Sequence, residues 1–85
     1  MKLLELKKIL EQTSSESRHF LRLYPCLYRD LHLWAYYLEC VQEHRTKKIR
    51  APKDRARYAV CTAFGVSEKT FYSIRTLLRD LCEDF

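Results

Sequence analysis

Between His44 and Arg57 the chain places seven basic side chains, Arg45, Lys47, Lys48, Arg50, Lys53, Arg55 and Arg57, against a single acid, Asp54. The segment carries +6 of a net +5, so the other residues sum to −1. A local excess of positive charge is the electrostatic footprint of a surface that meets phosphates. The same run also describes a solvated linker, and charge alone does not decide between them.

The other groups able to do chemistry are more scattered. Cys26, Cys40, Cys61 and Cys82 form no C-x-x-C pair and no crowded secreted framework, so they read as reduced thiols. Cys40 and His44 lie four apart and share a helix face, but further zinc ligands would have to come from unrelated segments; no metal and no cofactor are expected. His19, His32 and His44 are dispersed, the carboxylates are single, and the one glycine is too few for a phosphate-cradling loop. A non-enzymatic protein is expected.

These groups must be carried by helices. The chain of 85 residues is 47% hydrophobic with one Gly and two Pro, and has no alternating run, which predicts a single all-α domain built as a small bundle of four to five helices. Glu5, Lys7 and Lys8 interrupt any signal-peptide core, and no window has the roughly 18–20 apolar residues that span a bilayer. A soluble, cytosolic protein without membrane contact is expected.

Leu3, Leu4, Leu6, Ile9 and Leu10 predict an amphipathic first helix ending near Gln12. Thr13-Ser14-Ser15-Glu16 has the form of a capping box, with Thr13 as the cap, and opens a second helix that runs to about Tyr24 before Pro25. Leu27, Leu31, Trp34, Leu38 and Val41, flanked by Leu33, Tyr37, Cys40 and His44, give the next helix a broad apolar face. That face serves the core, a homodimer through the Leu27 to Val41 helix, or both. Residues 1–45 thus form the N-terminal helices, 46–51 a basic linker, and 52–85 a final helical pair begun by Pro52 at a first helical position.

In that pair Val60 and Phe64 share one face, and Phe71 and Ile74 share the next. Gly65 falls where the first helix must stop, since a left-handed residue there costs other side chains about 1–2 kcal/mol. Val66 is read as the buried plug of the turn, Ser67 as the cap of a helix starting at Glu68, and Cys61 as a small residue at the joint.

Cys61-Thr-Ala-Phe64-Gly65-Val66-Ser67-Glu-Lys-Thr-Phe71-Tyr72 resembles the helix-turn-helix family of bacterial and phage DNA-binding proteins, over about Asp54 to Leu81. Val60, Cys61, Phe64, Gly65, Val66, Phe71 and Ile74 coincide with its core pattern, with cysteine where alanine is more usual. The resemblance implies a recognition helix from about Glu68 to Leu81 in the major groove of double-stranded DNA. Ser67, Glu68, Lys69, Thr70, Tyr72, Ser73 and Thr76 are then the candidates for base contact, and Lys47, Lys48, Arg50, Lys53, Arg55, Arg57 and Arg79 those for phosphate. The acidic tail Asp80, Glu83 and Asp84 is expected to turn away from DNA.

The implied function is a small regulator or a phage- or plasmid-associated factor, working as a dimer. The alternative is an interaction or assembly protein, such as a viral component or an inhibitor, that keeps the helical pair as a docking unit. Basic charge also admits RNA, although no sheet bearing exposed aromatics is expected.

Overall fold

Five helices follow from this patterning: α1 Leu3–Glu11, α2 Ser15–Leu23, α3 Leu27–Thr46, α4 Pro52–Phe64 and α5 Glu68–Leu81. The computed structural model describes residues 1–85 and contains no strand. No helix is long and apolar enough to cross a membrane.

The long α3 is the beam on which the rest is laid. Its Leu27, Leu33 and Trp34 meet Leu6 and Leu10 of α1, Val60 of α4, and Phe71, Ile74 and Leu78 of α5 in one core closed by Cys82. The most extensive pairing is that of α3 with α4, where Val41 and Ala56 are buried on the two helices. Burying a Leu or Phe side chain is worth about 1.5–3 kcal/mol, so this cluster is the main source of stability. The broad apolar face expected on α3 divides: Leu27, Trp34 and Val41 enter the core, whereas Leu38 stays 48% exposed.

The helix ends show where local chemistry ruled. The cap of α2 is Ser14, not Thr13, and its hydroxyl accepts from the Ser17 amide at 3.1 Å. With the start shifted by one residue, Glu16 sits in the first turn as a charge near the positive end of the helix and does not close a box. Before Pro25, Tyr24 leaves helical geometry at φ −133° and ψ 81°, so the proline is a boundary and not a kink.

Lys2 gives α1 no side-chain cap, and the far end of the chain supplies one: the Leu3 amide donates to Asp84 Oδ1 at 2.9 Å. The Met1 ammonium pairs with Glu83 Oε1 at 3.0 Å, the Glu83 amide donates to the Met1 carbonyl at 2.7 Å, and Phe85 packs on Trp34.

Two helices end in left-handed residues. Gly65 (φ 64°) closes α4, and the Val66 amide returns to the Cys61 carbonyl at 3.1 Å. Lys48 (φ 56°) does the same for α3, with the Ile49 amide returning to the His44 carbonyl at 2.8 Å. Both are the wrapped C-terminal bond pattern that glycine favours, the second made without one. Ala51 (φ 53°) is also left-handed, so the connection into α4 holds two residues in a conformation costly to L-amino acids.

Candidate nucleic-acid interface

The turn between α4 and α5 is three residues long, Gly65 to Ser67. A Cβ built on Gly65 would meet nothing within 4 Å, so the glycine answers to backbone conformation and not to space. Ser67 Oγ accepts from the Thr70 amide at 3.1 Å, which satisfies one of the free donors that open α5. Cys61 Sγ lies 3.9 Å from the Ser67 carbonyl, and burial pushes its thiol above the usual range, as suits a packing residue. Val66 is only half-buried, short of the sealed plug expected, because the three-residue turn lies at the surface with Gly65 and Ser67 exposed.

Phe71, Ile74 and Leu78 are buried. Phe71 is seated by α3, with Tyr37 at 5.0 Å and Trp34 at 5.8 Å between ring centroids, and Phe64 likewise meets Tyr36 of α3 at 5.9 Å. The α4–α5 joint is thus completed by the third helix.

With that stripe committed inward, Lys69, Ser73 and Thr76 face solvent, and with Tyr72, Leu77 and Asp80 they line a shallow open concavity. Asp80, expected with the acidic tail to turn away from this side, lines the far end of the same open face. Glu83 and Asp84 instead are drawn to the start of α1.

Several candidate side chains are already engaged within the protein. Ser67 Oγ also donates to Thr70 Oγ1 at 3.1 Å, and Ser73 Oγ donates to the Lys69 carbonyl at 3.1 Å. Arg57 is the most committed: it pairs with Asp54 at 3.1 Å and Glu68 at 3.4 Å, and donates to the Tyr72 hydroxyl at 2.9 Å. Arg57 therefore braces the two helices and is not a free phosphate ligand, while Glu68 and Tyr72 are held by it. Lys47 is paired with Glu43 at 2.8 Å. Lys48, Arg50, Lys53, Arg55, Lys69 and Arg79 are exposed and form no ion pair within the chain.

Arg75 was not among the residues expected to matter. Its guanidinium lies 4.8 Å from the Tyr72 ring centroid, and that of Arg57 lies 5.7 Å away. Burial raises the Tyr37 hydroxyl above its ordinary range, while Arg57, Arg75 and Arg45 act in the opposite sense, so three arginines from three helices bear on one tyrosine. The Tyr72–Arg75 spacing of three was the available signal.

Elsewhere, no three His, Cys, Asp or Glu side chains converge as metal ligands. Comparison with protein-family models, curated proteins and solved structures finds no match for this chain.

Proposed function

We propose that this protein binds double-stranded DNA as a helix-turn-helix protein, with α5 laid in the major groove. The observation that carries the reading is the open polar face of α5, opposite its buried Phe71-Ile74-Leu78 stripe, on a helix whose Lys69 and Arg79 are exposed and form no ion pair within the chain. Lys69 and Thr76 are the least encumbered candidates for base edges, Lys69 toward guanine acceptors and Thr76 toward either partner of a pair. Ser73 keeps acceptor lone pairs after donating to its own helix. Ser67, Glu68, Thr70 and Tyr72 support the helix start and reach bases only by giving up contacts described above.

Lys48, Arg50, Lys53, Arg55, Arg75 and Arg79 supply the phosphate contacts, and Arg57 acts indirectly by fixing α5 against α4. These contacts set orientation, and base edges set sequence. One short recognition helix offers few base contacts, each worth about 1–3 kcal/mol, so the reading calls for two copies on a paired site. A regulatory or phage- or plasmid-associated role in the cytosol belongs to the same proposal.

The experiment is selection of bound duplexes from a random library, followed by a salt titration. Four to six phosphate contacts give a slope of log affinity on log salt of about −4 to −5. A second reading, an interaction or assembly protein, is favoured by Glu68 and Asp80 on the α5 surface, two acids that phosphate would repel. Absence of any retarded duplex at low salt would remove the first reading and leave the second.

A further inference from the structure

α3 carries a second apolar stripe beside the one it buries. Tyr28, Leu31, Ala35 and Leu38 recur at spacings of three and four, and Tyr28 and Leu38 remain 46% and 48% exposed. Leu4 of α1, 62% exposed, faces the same groove, a cleft of about 230 Å³ between α1 and α3. His32 is held edge-on to Tyr28 with ring centroids 4.5 Å apart, which fixes that rim.

Charge is distributed unevenly along this stripe. Lys7 of α1 and His32 are on the groove wall, whereas the helix face continues past Leu38 into Glu39 and Gln42. Such a stripe is self-complementary only when reversed. Laid antiparallel on a copy of itself about Ala35, it sets Glu39 against Leu31 and His32 in a groove that Lys7 also lines, Leu38 against His32, and Tyr28 against Gln42. A parallel pairing would oppose Glu39 to Glu39 and Lys7 to Lys7. Alanine at the centre lets two helix axes approach to about 8 Å. A two-fold contact of this kind uses one patch twice and closes, leaving no further copy to add.

We propose that the α1–α3 groove is the seat of a second copy of this chain, docked antiparallel with the two α3 helices crossing at Ala35. The surface narrows the Leu27 to Val41 face expected from sequence to its uncovered side, since Leu27, Trp34 and Val41 are spent in the core while Leu38 stays exposed. It shares no residue with the open face of α5, so it stands whether or not α5 meets DNA. One crossing helix pair covers less than the roughly 800 Å² per partner of a standard interface, so the expected dissociation constant is about 10–100 µM.

Sedimentation equilibrium of the full chain, from about 10 µM to about 1 mM, reads this directly. The wild type is expected to dimerise. Ala35→Arg, at an exposed position where unfolding is not at issue, is expected to weaken the dimer more than about tenfold with an unchanged helical circular-dichroism spectrum. Lys7→Glu and Glu39→Lys are each expected to weaken it several-fold, and the two together to restore it. A monomer throughout the range, or a dimer indifferent to Ala35→Arg, overturns the proposal. Two weakened single variants without rescue overturn the antiparallel register. If the wild type dimerises as described yet retards no duplex, the DNA reading falls and this surface remains.

Discussion

Arg57 of α4 donates to the Tyr72 hydroxyl of α5 at 2.9 Å, and the same guanidinium faces Asp54 on its own helix and Glu68 at the start of the next. A group counted among the positive charges of the sequence is thereby a joint between two helices. Arg57→Ala is expected to cost about 1–2 kcal/mol, and Tyr72→Phe, which keeps the ring and loses the hydroxyl, about 0.5–1 kcal/mol. A double-mutant cycle by urea denaturation should give a coupling between them; strict additivity would mean that the bond contributes nothing.

Gly65 takes φ 64° with open space where a side chain would begin. Gly65→Ala is therefore expected to destabilise by about 1 kcal/mol through the backbone alone, and Gly65→Asn by less, since asparagine tolerates the left-handed region. Thermal melts of the two variants test the order.

Adjacent hydroxyls start α2, and only Ser14 bonds its amide. Ser14→Ala is expected to cost about 1 kcal/mol and Thr13→Ala close to nothing. The reverse ranking in chemical denaturation would move the helix start back by one residue.

Asp30 is 4% exposed, and burial holds its carboxyl above the ordinary range, with Arg29, bonded at 3.0 Å, a smaller opposing influence. A carboxyl with a raised folded pKa binds its proton more readily folded than unfolded. Its unfavourable contribution is absent below the ordinary carboxylate range and fully present once pH exceeds the raised value. Asp30→Asn should therefore gain stability relative to wild type as pH rises from about 3 to about 7. Melting curves in which that difference stays flat or shrinks with rising pH would show that Arg29 outweighs burial.

Much of this was legible because its causes are local. The Phe71-Ile74-Leu78 period, the lone glycine and a serine three residues before Thr70 are short-range signals, and α5 and its turn lie where they point. Ser14 and Thr13 could not be separated by residue type, since either hydroxyl can cap. The left-handed Lys48 left no trace, because lysine does not favour that conformation; the wrapped end of α3 imposes it. The commitments of Arg57 to Glu68 and Tyr72 and the clasp of Asp84 onto Leu3 depend on which helices meet, so no spacing along the chain announced them. The two stripes of α3 blurred into one broad face for the same reason: only the placement of α1, α4 and α5 decides which is covered.

The double engagement of Arg57 reaches into how any ionic-strength experiment on this molecule is read. Its pairs with Asp54 and Glu68 are partly solvent-exposed and screened by added salt, so they loosen over the same range in which ions are exchanged at a polyelectrolyte. A counterion count taken from wild type alone therefore contains a contribution from a softened hinge. Subtracting the salt dependence of unfolding, measured without ligand, separates the mechanical part from the electrostatic one.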